Sequence, residues 1–252
     1  MLGGRGILVT RPRAQAGELA VAIVAHGGDP VLFPTIAIDP IADPAPAQSL
    51  FARLGEFDHA IFVSANAVQF GLSLASAPWP DRVSAIAVGP ATAQALARAS
   101  IPRVLTPVVR FDSEGVLALD TLQQLQGRRV LIVRGVGGRD LLEHTLEERG
   151  AVVDIAEVYS RHHPREAAGP LIRRWRAGNI HAVICTASEA ARNLHASLAT
   201  DLDLLKQAPV FVPHARIAAM VRALYQTDVI ETATGDSAIV RAMERFFAKV
   251  QD

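Results

Sequence analysis

The sequence predicts an α/β protein of two similar domains, each a parallel sheet flanked by helices, and three observations carry that reading. Short apolar runs of strand length alternate with helical runs that have one apolar face. The strand runs are of the buried type and are joined to the helices by short polar turns, as in parallel sheets covered on both faces. The whole pattern then occurs a second time at a nearly constant separation.

Taken in order, Ile7-Leu8-Val9-Thr10-Arg11-Pro12 is a strand ending in Thr-Arg, and the following helix has Leu19 and Ile23 on one face and Gly27 as its stop. Phe33-Pro34-Thr35-Ile36 is an extended run leading into a proline-containing connector at 37–46. Residues 58–63 form the next strand, which runs into the turn Ser64-Ala65-Asn66. Ala87-Val88-Gly89-Pro90-Ala91-Thr92 opens an alanine-rich helix, with Pro90 suited to the first turn and Thr92 exposed. Asp112-Ser113 precedes an apolar helical run.

Residues 130–133 are again a strand. Gly135, Gly137 and Gly138 make a turn flanked by Arg134 and Arg139, and Leu142 with Leu146 sets a helix face ending at Gly150. A second extended run ends at Tyr159, before a connector at 160–170. The strand at 180–185 enters Thr186-Ala187-Ser188, Phe211-Val212-Pro213-His214-Ala215-Arg216 opens another alanine-rich helix, and Asp236-Ser237 precedes a long one.

Arg11, Leu19, Ile23 and Gly27 match Arg134, Leu142, Leu146 and Gly150 at a separation of 123 residues without a gap. The strand at 58–63 matches the one at 180–185 at 122, and 87–92 matches 211–216 at 124, as Asp112-Ser113 matches Asp236-Ser237. In open parallel sheets ligands bind beyond the carboxyl ends of the strands, and the polar turns Thr10-Arg11, Ser64–Asn66, Gly89–Thr92, Arg134–Arg139, Thr186–Ser188 and His214–Arg216 all fall there. Two duplicated domains facing one another would make a cleft lined by these turns.

With 252 residues, half of them hydrophobic, one or two well-packed domains are possible. A net charge of +0 and a pI near 7.1 argue against nucleic-acid or membrane-surface binding, both of which need a basic field. No apolar stretch is long enough to span a bilayer and no signal-like segment forms, so a cytoplasmic protein is expected. The lone cysteine, Cys185, excludes an internal disulfide and reads as a buried thiol. His162 and His163 lack the companions of a metal site, and His59 and His181 occupy matching structural positions. Neither a metal nor a cofactor is expected.

The glycine-rich turn at 134–139 offers backbone N–H groups and a helix N-terminus to an anion such as a carboxylate or phosphate. It has neither the lysine of a P-loop nor a true G-x-G-x-x-G, so a nucleotide enzyme is poorly supported. Ser113 and Ser237 are expected to cap the helices they precede, and Ser64 and Ser188 could equally cap or bind. Tyr159 ends a strand at a connector, and its phenol could donate to a departing oxygen. No Ser–His–Asp order, metalloprotease motif or nucleophile elbow is present.

Val-Thr-Arg-Pro at 9–12, Phe-Val-Ser-Ala-Asn-Ala-Val at 62–68, Ala-Val-Gly-Pro-Ala-Thr at 87–92, Ser-Glu-Gly at 113–115, Arg-Gly-Val-Gly-Gly-Arg at 134–139, Glu-Val-Tyr at 157–159 and Val-Pro-His-Ala-Arg-Ile at 212–217 together resemble the uroporphyrinogen-III synthase family. Their order and spacing cover almost the whole chain. The resemblance implies two α/β domains joined by a pair of extended connectors, one built discontinuously from 1–37 and 165–252, the other from 40–160, with the substrate in the cleft between them. It also implies a cofactor-free, monomeric lyase of tetrapyrrole synthesis, which cyclises hydroxymethylbilane with loss of water and inverts the last pyrrole through a spiro intermediate. The substrate would be a linear tetrapyrrole with many carboxylates, leaving room for a transient contact with the preceding bilane-forming enzyme.

Carried over by position, Tyr159 matches the family tyrosine proposed to assist hydroxyl departure. The substrate-binding set would be Thr10, Arg11, Ser64, Ala65, Asn66, Gly89, Thr92, Arg134, Gly135, Gly137, Gly138, Arg139, Thr186, Ser188, His214 and Arg216. Val63 stands where many members carry threonine, and His214 and Arg216 stand in place of a Gly-Pro-Thr-Thr-like turn. The competing class is a two-domain binding or regulatory module for a polyanionic small molecule, which would bind without forming product.

Overall fold

The computed structural model describes residues 1–249, so the last three residues of the expected 165–252 segment lie outside the described residues. Along the chain run β1 (Gly6–Val9), α1 (Gly17–Ala25), β2 (Asp29–Leu32), β3 (Ala37–Pro40), α2 (Ala45–Ala52), β4 (His59–Phe62), α3 (Ala65–Leu72), β5 (Ser84–Ala87), α4 (Pro90–Arg98) and α5 (Ser113–Leu117). There follow β6 (Arg129–Gly135), α6 (Leu141–Glu148), β7 (Val152–His162), α7 (Gly169–Arg176), β8 (Ala182–Ile184), α8 (Ser188–Ser197), β9 (Val210–Val212), α9 (Ala215–Tyr225), β10 (Val229–Glu231) and α10 (Asp236–Lys249).

The chain forms two compact units, one from Met1–Ala37 with the chain from His162 onward, the other Ile38–Arg161. The first holds a sheet of order β10-β9-β8-β1-β2 with parallel pairing throughout. Its central strands β1, β8 and β9 are apolar and buried along their whole length, as strands covered on both faces are. Leu8, Val183 and Val210 pack with α7, α8 and α9, whereas Ile7, Val9, Ile184 and Phe211 pack with α1 and α10. The second unit has the order β3-β7-β6-β4-β5. Ala60, Phe62, Leu131 and Val133 face α2, α3 and α4, and Ile61, Ile86, Val130 and Ile132 face α5 and α6.

Mapped through the repeat, β7, β6, β4 and β5 take the places of β2, β1, β8 and β9. The place of β10 is filled by Leu105, which forms a parallel bridge to Ile86. Each unit therefore combines a strand–helix–strand from one repeat with the remaining strands of the other. β7 runs on past the length of its counterpart β2. Beyond Leu32 the Phe33 and Thr35 N–H groups still bond to the carbonyls of Val9 and Thr10, at 3.1 and 3.2 Å.

Two helix caps differ from those expected. Asp112, not Ser113, caps α5, its extended backbone letting Oδ1 accept the Gly115 N–H at 2.9 Å. α10 begins at Asp236, which leaves Ser237 inside its first turn. Ser188 likewise lies within α8 rather than capping it. Cys185 is fully buried, and loss of hydration pushes its thiol up to about 11, which makes it an inert core group. His181 accepts the Gly6 N–H through Nδ1 at 3.0 Å, whereas the buried Nδ1 of His59 has no such partner. The matching positions thus carry different contacts. Among the described residues no helix is long and apolar enough to cross a membrane.

Candidate functional site

In the second unit the turns after β4, β5 and β6 and the end of β7 gather at the carboxyl edge of one parallel sheet. Tyr159 is buried there, 3% exposed, with its hydroxyl 3.1 Å from Ser64 Oγ. Ser64 is the N-cap of α3: its backbone is extended, and its Oγ accepts the Ala67 N–H at 3.0 Å. The tyrosine ring packs on Phe70, with centroids 5.8 Å apart, and the Arg161 guanidinium carbon lies 5.7 Å from the ring centre.

A local irregularity aims this ring. Arg134 pairs with Glu157 but Gly135 pairs with Tyr159, so β7 carries one extra residue at Val158. Strict alternation would put Tyr159 on the same face as Ile155 and Glu157. The bulge instead turns it onto the face of Ala156 and Val158, in the core that faces α3. Gly135 makes room: a Cβ there would lie 2.6 Å from both Cε2 and Cζ of the tyrosine ring. The Val136 N–H, bonded to the Tyr159 carbonyl at 2.9 Å, holds the two backbones together beyond the bulge.

The opposite face of β7 borders a pocket of about 500 Å³ lined by Ile41, Ala47, Ile155, Glu157 and Arg134 among others, and Tyr159 is not among its walls. Arg134 is only 12% exposed and sits between carboxylates, 3.6 Å from Asp140 and 3.5 Å from Glu157, the latter without hydrogen-bond geometry at Nε. Arg139 is exposed, with Glu114 at 3.9 Å. The positive field expected from these two arginines is therefore largely offset, and what the turn chiefly offers an anion is backbone. Gly137 and Gly138 are exposed there, and Gly137 has φ +73°, a conformation that favours glycine.

Other predicted residues fall as follows. Ala65 is exposed and Asn66 half-buried at the start of α3, Gly89 is the buried N-cap of α4, and Thr186 and Ser188 are half-buried at the start of α8. His214 caps α9, its Nδ1 accepting the Arg216 N–H at 3.1 Å, and Arg216 is exposed without an ion pair to any described residue. Two expectations are corrected. Thr10 is fully buried and donates its hydroxyl to the Ile184 carbonyl at 2.8 Å, because β8 lies beside β1, so that hydroxyl is not offered to a ligand. Thr92 is 3% exposed rather than free, since its position on α4 faces inward. Arg11 is paired with Asp236 at 2.7 Å.

The internal repeat supplies a control. The counterparts of Ser64, Gly135 and Tyr159 in the first unit are Thr186, Pro12 and Ile36. Only the second unit therefore carries the paired hydroxyls and the glycine beneath the ring. Neither hydroxyl is hydrogen-bonded to a carboxylate or imidazole among the described residues. Such a pair is suited to donating a hydrogen bond to a developing oxyanion or leaving oxygen, and lacks the base that a serine nucleophile needs. Among the described residues no cluster could hold a metal ion. Sequence reasoning missed the part played by Gly135 and by Phe70, because both act through a side chain brought near by β6–β7 and β4–α3 packing; only the spacing of Gly135 just beyond a strand hints at close approach.

The family model described as uroporphyrinogen-III synthase HemD matches residues 17–239. A uroporphyrinogen-III synthase of Escherichia coli (strain K12) is 32% identical over 244 residues, 94% of this chain and 99% of that protein. One from Salmonella typhimurium is 31% identical over 245 residues, with the same coverage. Among solved structures, a mutant uroporphyrinogen III synthase from Thermus thermophilus aligns with a TM-score of 0.65 at 17% identity, covering 98% of this chain and 99% of that one. The Helicobacter pylori uroporphyrinogen-III synthetase aligns at 0.57 and 16% identity, with coverage of 98% and 99%. At such identities the structures speak for the fold.

Proposed function

Since the chain belongs to the uroporphyrinogen-III synthase family, lyases of heme biosynthesis that cyclise hydroxymethylbilane with loss of water and inversion of the terminal pyrrole, we propose that Tyr159 is its catalytic hydrogen-bond donor. The observation that carries this is the Tyr159–Ser64 hydroxyl pair at the carboxyl edge of the second sheet. The carbon–oxygen bond of the hydroxymethyl group breaks as the pyrrole nitrogen's electron pair moves in, and the oxygen takes the Tyr159 hydroxyl proton and leaves as water. The phenolate regains a proton from the one released when the attacked pyrrole recovers its aromaticity after ring closure. The azafulvene so formed is stabilised by its own ring nitrogen, so a donor at the leaving oxygen is the main chemical requirement. Steering the last ring to attack through its substituted carbon is a matter of holding geometry.

The acetate and propionate groups of the substrate give the protein its hold. The exposed glycine turn at 137–139, the α9 N-terminus at His214–Arg216 and the turn at Thr186–Ser188 present backbone and side-chain donors for them. A charge-assisted hydrogen bond contributes on the order of 1.5–3 kcal/mol, though an exposed arginine realises only part of that. Arg139→Ala and Arg216→Ala are each expected to raise KM by roughly threefold to tenfold with kcat nearly unchanged, which steady-state kinetics would resolve. An unaltered KM in either variant would remove that arginine from the carboxylate-binding set.

A further inference from the structure

The geometry points to Ser64 as a positioning residue that acts through Tyr159, donating its hydroxyl hydrogen to the phenolic oxygen so that the phenol's own hydrogen is left for the departing oxygen. This inference rests on the reading of Tyr159 as the donor. Ser64 Oγ already accepts the Ala67 N–H at 3.0 Å, and its other hydrogen-bond partner is the Tyr159 hydroxyl at 3.1 Å. Were Tyr159 to donate to Ser64, its single hydrogen would be used inside the protein and the phenol would have none to give the departing oxygen. With Ser64 donating, every group is satisfied: Ala67 N–H to Ser64, Ser64 to Tyr159, Tyr159 to the substrate.

The chain of hydrogen bonds starts at a favourable end. The Ala67 N–H belongs to the first turn of α3, where the helix dipole is positive, and a hydrogen bond accepted from it makes the Ser64 hydroxyl a stronger donor in turn. The arrangement is held from the other side by Gly135, which seats the ring, and by Phe70, which backs it. In the first unit Ile36 stands at the position of Tyr159, so the corresponding Thr186 has no phenol to orient. No proton leaves Ser64 at any stage.

The test is a kinetic cycle on the full chain with freshly generated hydroxymethylbilane, kcat and KM being separated and folding followed by thermal melting. Ser64→Ala is expected to lower kcat about fivefold with KM changed less than twofold, and Ser64→Thr to restore most of that loss. Ser64→Asp keeps an acceptor for the Ala67 N–H, and with it the helix cap, but has no hydrogen to donate to Tyr159; it should melt near the parent temperature and turn over slowly. In a Tyr159→Phe background, Ser64→Ala should add almost nothing. A rise in KM alone, the same fivefold loss in both backgrounds, or a fully active Ser64→Asp would overturn the inference. If Tyr159→Phe is slow while Ser64→Ala is not, only the relay fails; if Tyr159→Phe turns over normally, the donor reading fails with it.

Discussion

Tyr159→Phe is expected to lower turnover by more than about fivefold while leaving the protein folded. The substitution removes one oxygen and keeps the ring that packs on Phe70 and over Gly135. Its cost to stability is the single hydrogen bond to Ser64, roughly 0.5–1.5 kcal/mol. Its cost to the reaction is the donor at the leaving oxygen, and a fivefold loss corresponds to only about 1 kcal/mol of transition-state stabilisation, a modest demand on a positioned donor. KM should change little, since the contact strengthens only as the oxygen departs. Steady-state kinetics beside a thermal melt checks both halves, and normal turnover in a folded variant would remove Tyr159 from the mechanism.

A single methyl group at Gly135 should do at least as much damage from a distance. The Cβ of Gly135→Ala would stand 2.6 Å from two atoms of a buried aromatic ring, and those atoms cannot give way as the tip of a flexible chain could. Either the ring swings out of its place over the bulge or β6 and β7 part around Val136. Both movements carry the phenol away from Ser64. Turnover is expected to fall more than about tenfold, the scale on which roughly ångström misplacements act, and stability by about 1–3 kcal/mol as in other overpacked cores. The melting temperature and the rate together decide it: a variant with full turnover would show that the ring can be reseated without loss and that Gly135 has no bearing on the reaction.

Much of the fold is legible in the amino-acid sequence because its signals are local. Glycine stops and paired apolar positions return at 123 residues, and buried parallel strands announce themselves as short apolar runs, so the duplicated α/β architecture can be read from the chain alone. The pairing of Arg11 with Asp236 and of Thr10 with the Ile184 carbonyl joins residues more than a hundred positions apart, and no window along the chain contains both partners. The choice of Asp112 over Ser113 as cap is a one-residue question between two good capping types, decided by the backbone angles.

The bulge at Val158 is the most instructive case. A period of two assigns Tyr159 to the face of Glu157, beside the pocket that Arg134 borders, and only the inserted residue sends it to Ser64. Family resemblance singles out Tyr159 and Ser64 by their positions in two separate motifs. What brings them together is the irregular pairing of β6 with β7, a feature that periodicity does not carry.

The most direct measurement is the isomer distribution of the product. Freshly generated hydroxymethylbilane is incubated with and without the protein, the porphyrinogens are oxidised, and type I and type III porphyrins are separated by chromatography. Spontaneous closure joins the ring at the free carbon and gives type I, whereas inversion of the last pyrrole gives type III. A protein-dependent shift to type III, abolished in step with turnover in Tyr159→Phe, is the result expected here. Formation of type I alone, at the spontaneous rate and with a folded sample, would contradict the account.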